Sequence, residues 1–171
     1  MDMEKGATLF LFLIFAFVAG DRARAQTDFD RKLNSLYRHT VPLVRPSGLK
    51  QAMGKGENVV LLDARTKEEY TVSHLPSARY VGFKKFDMDG VQQIDKDAMI
   101  VVYCTVGYRS EKIGEKLLGM GFTHVKNLYG GILQWANEGL PLLNGQNEPT
   151  DSVHTYSRGW GTWLQRGTKV Y

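Results

Sequence analysis

A chain of 171 residues, 43% of them hydrophobic, is long enough to bury one domain core after any leader is removed. Its formal net charge of +4 comes from 22 basic and 18 acidic residues spread along the sequence. No run of Lys and Arg with interleaved aromatics argues for nucleic acid, and the mild basicity favours small anionic substrates.

In chain order, Ala7 to Gly20 is an uncharged apolar run, short of the roughly 20 residues a membrane span needs. Ala23-Arg24-Ala25 follows as a small-x-small cleavage site, so residues 1–25 are predicted to be a signal peptide and the protein periplasmic or secreted. The first five residues, Met1-Asp2-Met3-Glu4-Lys5, are not clearly positive. An uncleaved membrane anchor is therefore the alternative, and membrane association is expected only in that case. Exported chains usually spend cysteines on disulfides, yet this one has a single thiol, Cys104. That predicts chemistry for it, with oxidation or intermolecular pairing as its failure mode.

Residues 26–45 are expected to form an N-terminal helical extension. Phe29, Leu33, Leu36 and Tyr37 share one face of a helix from Thr27 to His39, and Val41 to Val44 forms an edge strand limited by Pro42 and Pro46. Ser47 is the expected N-cap of a helix through Met53. Val59 to Leu62 is apolar on both faces and predicts a buried parallel strand ending at Asp63. Asp63 and Arg65 then lie on the carboxyl edge of a sheet, where sites gather, as an ion pair or loop braces, with Arg65 reaching for Glu69. Ala78 to Val81 is a third short strand. Phe83 to Asp97 is a charged connector or lip beside the site, with Asp89-Gly90 as its clearest turn.

Met99 to Tyr103 is a second strand buried on both sides, and it delivers Cys104 to a loop that ends at Arg109. Ile113, Leu117 and Met120 then recur at helical spacing, with Gly119 and Gly121 as stop signals. Backbone N–H groups of such a loop and helix start lack intrahelical partners and converge on an anion, here a thiolate, with Arg109 adding positive charge. Gly107 lets the loop close tightly. Thr123 to Leu128 is the last core strand, and Gly130-Gly131 opens a helix in which Trp135 is core packing. Asn147 to Asp151 resembles a linker. Beyond it, Tyr156, Trp160, Trp163 and Tyr171 alternate with Arg158, Arg166 and Lys169. Residues 143–171 are either a tail laid on a groove of the same domain or, through Trp160 and Trp163, a lid over Cys104 or a docking patch.

Cys104-Thr105-Val106-Gly107-Tyr108-Arg109 resembles the reactive loop of the rhodanese family of sulfurtransferases: Cys, four residues with Gly third, then Arg or Thr. Two further stretches resemble the family in order and spacing. One is Leu62-Asp63-Ala64-Arg65 with Glu69-Tyr70 and His74-Leu75-Pro76-Ser77-Ala78; the other is Leu128-Tyr129-Gly130-Gly131-Ile132 with Trp135 and Gly139-Leu140-Pro141.

The resemblance covers residues 46–142. It implies a three-layer α/β domain with a central, mostly parallel five-stranded sheet and helices on both faces. It further implies Cys104 as the nucleophile that carries a persulfide, and Thr105, Val106, Gly107, Tyr108, Arg109 and Ser110 as the substrate-binding loop. A bracing role for His74 also follows, as does a site without metal or organic cofactor. The partners implied are a small anionic sulfur donor and a thiol or cyanide acceptor. Protein phosphatases of this fold have a loop one residue longer, so the shorter loop implies sulfur rather than a phosphate ester. Ser73 and Ser77 stand where the family usually has glycine, and Thr105 and Val106 where thiosulfate-active members often have basic residues. A non-catalytic binding or sulfur-relay module is the alternative function.

Overall fold

Strands that are apolar on both faces are stable only when covered above and below, as in parallel sheets flanked by helices. In the computed structural model, which describes residues 25–171, Val59–Asp63 and Met99–Tyr103 run side by side in the middle of a five-stranded sheet. The predicted leader lies outside the described residues. Residues 36–171 form one compact unit. Of the other unit, which ends at Ser35, residues 25–34 are helical (α1). Among the described residues no helix is long and apolar enough to cross a membrane.

The strands are β1 (Leu43–Val44), β2 (Val59–Asp63), β3 (Arg79–Tyr80), β4 (Met99–Tyr103) and β5 (Val125–Leu128), arranged β1-β5-β4-β2-β3 with every neighbouring pair parallel. Ile100 and Val102 of β4 join a cluster with Leu62 of β2 and Val125 of β5. Val91 of helix α4 (Met88–Gln92) and Ile113 and Leu117 of helix α5 (Tyr108–Gly119) belong to the same cluster. Val101 and Tyr103 alternate to the opposite face and are fully buried too, so the sheet is covered on both sides. Register sets Asp63 beside Tyr103 and Asn127 beside Val102, which gathers Asp63, Cys104 and Asn127 at one end of the central strands.

Several local expectations change. The helix α2 (Pro46–Gly54) starts with Pro46 in its first turn behind Arg45, which makes no side-chain cap, so Ser47 is inside the helix. Asp89-Gly90 is not a turn: the Asp87 side chain accepts from the Gly90 N–H at 2.9 Å and caps α4. Residues 147–151 are not a linker, because β6 (Leu142–Leu143) and β7 (Pro149–Thr150) pair as an antiparallel hairpin. Beyond it, β8 (Ser152–His154) and β9 (Thr168–Val170) pair in parallel around the short helix α7 (Arg158–Gly161). Strand β8 lies against both helix α3 (Lys67–Val72) and helix α6 (Gly131–Asn137), so the tail belongs to the same compact unit.

The partner of Arg65 also differs from expectation. Its fully buried guanidinium bonds Asp63 through Nε to Oδ1 at 3.0 Å and Nη2 to Oδ2 at 2.6 Å, and Nη2 reaches the Ser73 carbonyl at 2.6 Å. Asp63→Ala leaves that cation without its counter-ion, and denaturant unfolding is expected to show a loss of about 3–5 kcal/mol.

Candidate active site

The loop between β4 and α5 is held from outside by its own carbonyls. The Cys104 carbonyl accepts from Ile132 N at 2.9 Å and that of Thr105 from Leu133 N at 3.2 Å, both at the start of α6. Tyr37 Oη donates to the Val106 carbonyl at 2.6 Å and accepts from Gly130 N at 2.9 Å. Asn127 Nδ2 donates to the Gly107 carbonyl at 2.9 Å, while Asn127 Oδ1 accepts from Ser110 Oγ at 2.7 Å. In a trans peptide the next N–H points opposite to its carbonyl, so these four anchors turn the N–H groups of residues 105–108 the other way. That of Gly107 meets Cys104 Sγ at 3.2 Å. Gly107 has φ +101°, and a Cβ there would run into the Tyr37 ring, so both backbone and packing require glycine. The segment that carries Tyr37 is fixed by buried Glu111, whose carboxylate accepts from Arg38 N at 2.9 Å and Thr40 N at 3.1 Å.

A second cluster sits beside the thiol. Thr66 and Glu69 form a capping box at the start of α3, which fixes the Glu69 side chain. Its Oε2 accepts from Thr66 N and from Arg109 Nη1 at 2.8 Å; its Oε1 accepts from Arg109 Nη2 at 2.7 Å and from Thr105 Oγ1 at 3.0 Å. Arg109 Nη2 also donates to Thr105 Oγ1 at 2.8 Å. Burial alone would push the Glu69 carboxyl up, but the Arg109 fork outweighs it and holds it down to about 2. Arg109 is correspondingly raised through the same pair, against its own burial. Two expectations are thereby corrected: Glu69 pairs with Arg109 rather than Arg65, and the Arg109 fork is engaged by a carboxylate rather than left open to an incoming anion.

Cys104 is 1% exposed and lies at the wall of a pocket of about 880 Å³. Of the predicted loop residues, Thr105, Val106, Tyr108 and Arg109 line it with Cys104. Tyr108 is 44% exposed at the surface, where Lys112 Nζ lies 5.1 Å from its ring centre. Gly107 contributes its N–H, but Ser110 is fully buried on Asn127 and does not line the pocket, so its predicted substrate contact is replaced by a bracing one. The 83–85 segment forms the expected lip with Phe83, Lys84 and Lys85, next to Tyr80 of β3.

Trp160 lines the pocket, joined by Tyr156. Trp163 does not; its carbonyl accepts from Asn137 Nδ2 at 2.9 Å. His74 braces its turn: Nδ1 meets the Tyr70 carbonyl at 3.1 Å, Nε2 meets Asn147 Oδ1 at 3.3 Å, and its ring stacks on Tyr70 at 4.1 Å. Ser77 keeps φ +64°, the conformation a glycine adopts freely. The functional residues not anticipated are Tyr37, Glu111, Asn127 and Tyr156. For Asn127 a signal existed, a polar side chain inside a buried strand.

The chain is thus an α/β domain that sets its one cysteine at the carboxyl end of the central strand of a parallel sheet, under the Gly107 amide. The chain belongs to the rhodanese-like family, since the model of the rhodanese-like domain matches residues 45–138. A sulfurtransferase from Allochromatium vinosum is 35% identical over 95 residues, covering 56% of this chain and 88% of that protein. A tRNA uridine(34) hydroxylase from Oceanobacillus iheyensis is 36% identical over 100 residues, but these span 31% of it and 56% of this chain. A crystal structure of a Bacillus halodurans protein superposes with a TM-score of 0.57 at 28% identity, covering 66% of this chain and 86% of that one.

The Glu69 carboxyl is ordinary near 4.5 in the unfolded chain and about 2 in the fold, so its contribution is complete above pH 4.5 and lost as pH falls toward 2. Unfolding free energy is expected to drop over that window by about 3 kcal/mol, and Glu69→Gln to remove most of this acid dependence. Denaturant titrations at pH 7, 4 and 2.5 check it.

Proposed function

We propose that this protein transfers sulfane sulfur through a persulfide on Cys104. Thiolate Cys104 attacks the outer sulfur of thiosulfate or a related donor; the donor S–S bond breaks, sulfite leaves with the electron pair, and a persulfide remains on the enzyme. A thiol or cyanide acceptor then takes the terminal sulfur and regenerates the thiolate. The observation that carries this reading is the Gly107 N–H aimed at Cys104 Sγ beside an accessible pocket. The N–H groups of residues 105–108, turned inward by their anchored carbonyls, suit the negative charge of a thiolate or persulfide. Arg109, held by Glu69, acts as a positioning group for Thr105 and the loop.

The sulfurtransferase relative supports the reaction class, and the predicted leader supports a periplasmic or secreted setting. A binding or sulfur-relay module for a partner protein is the second reading. It is favoured by tRNA hydroxylases in which a comparable segment is less than a third of the protein.

Incubation with thiosulfate followed by intact-mass measurement is expected to show a gain of one sulfur atom that cyanide removes and that Cys104→Ser abolishes. No gain with any sulfane donor would leave the binding module. Tyr37→Phe frees the Val106 carbonyl and the Gly130 N–H together, and steady-state turnover is expected to fall about ten- to a hundredfold through loss of loop geometry.

A further inference from the structure

The pocket is larger and more aromatic than an inorganic sulfur donor requires. At about 880 Å³ it lies in the range of sites that take organic ligands, roughly 300–1,000 Å³. Tyr80, Phe83, Tyr108, Tyr156 and Trp160 line it, while Lys84 and Lys85 add positive charge at the lip. Near the sulfur itself little cationic charge is left for a compact dianion, because Glu69 occupies the Arg109 fork and Thr105 and Val106 are uncharged.

The aromatic wall is a built feature. Tyr156 holds φ +68°, a left-handed backbone that a bulky residue adopts only when its surroundings enforce it. Its N–H donates to His154 Nδ1 at 3.1 Å, and its ring lies 5.0 Å from the Arg109 guanidinium while remaining 59% exposed. An exposed aromatic kept at such a backbone angle beside the reactive loop is placed to meet a ligand. Trp160 N is capped by Ser157 Oγ, and α7 is tied back through Asn137, which donates to the Trp163 carbonyl at 2.9 Å and accepts from Gln165 N at 2.7 Å. Both aromatics belong to residues beyond 138, outside the segment matched by the family model.

We infer that Tyr156 and Trp160 make this site selective for an organic sulfane-sulfur anion with a flat aromatic body. The inference rests on the sulfur-transfer reading and names its donor class. For an aryl thiosulfonate the step balances without any other reactant. Cys104 thiolate bonds the outer sulfur, the S–S bond of the donor breaks, and the aryl sulfinate leaves with the electron pair. The ring then lies against Tyr156 and Trp160 while the developing sulfinate charge faces the lysines.

The test measures kcat/KM for persulfide formation with benzenethiosulfonate and methanethiosulfonate, using the full chain and its Tyr156→Ala, Trp160→Ala and Trp160→Phe variants. Comparing the aryl-to-methyl ratio between proteins cancels intrinsic leaving-group differences. Each alanine variant is expected to lower that ratio about tenfold, the order of one aromatic contact, with Trp160→Phe restoring most of it. Ratios equal in all four proteins overturn the inference.

Binding is read separately as quenching of tryptophan fluorescence by benzenesulfinate in Cys104→Ser. Quenching that Trp160→Ala reduces, with no persulfide formed by any donor, overturns the sulfur-transfer reading and keeps the aromatic subsite. Absence of binding together with normal thiosulfate turnover overturns the subsite alone.

Discussion

Four consecutive carbonyls, those of residues 104–107, each accept a hydrogen bond from outside the loop: two from α6, one from Tyr37 and one from Asn127. Because the peptide unit is planar and trans, fixing the oxygens fixes the hydrogens, and the amides of the reactive loop are committed before any ligand arrives. Their orientation is decided by packing beneath the loop, and the Gly107 N–H aimed at Cys104 Sγ is a consequence. This explains why so many buried polar side chains cluster here in a protein of this size. Asn127, Ser110, Glu111 and the Tyr37 hydroxyl all serve the loop, directly or through one another. Each is desolvated, and each is tolerable because its partner is supplied.

Beside this clamp stands a carboxylate that keeps the neighbouring arginine occupied. Glu69 accepts four hydrogen bonds, two of them from Arg109, and the resulting unit of Glu69, Arg109 and Thr105 is close to neutral as a whole. Arg109 therefore ends the loop with its fork on a carboxylate. Lys84 and Lys85 add positive charge to the same pocket from the neighbouring lip. The same reasoning separates the two arginines of the site. Arg65 is fully buried and locked on Asp63, whereas Arg109 sets its guanidinium carbon over the Tyr156 ring, 5.0 Å from its centre.

Much of the architecture was legible because its signals are local. Val59 to Leu62 and Met99 to Tyr103 are apolar without helical period, and only a parallel sheet with cover on both faces suits them. Gly107 announced the loop, since its left-handed φ and its contact with Tyr37 leave no room for a side chain. What escaped was long-range. Tyr37 and the Val106 carbonyl are 69 positions apart, and Glu69 and Arg109 are 40 apart, so spacing along the chain carries no trace of either pair. Asp89-Gly90 misled for a different reason: Asp-Gly suits a turn, but an aspartate two places earlier offered its side chain to the glycine amide and started a helix instead. The aromatics of residues 156–171 had no periodicity to read, and their position follows from β8 lying on α3 and α6.

The near-complete burial of Cys104 bears on which reagents can reach its sulfur. A disulfide needs the two Cβ atoms within about 4 Å, and a residue only 1% exposed at the wall of a pocket hinders that approach by a second folded copy of the same chain. Reagents that reach this sulfur have to be slender enough to enter the pocket beside residues 104–109.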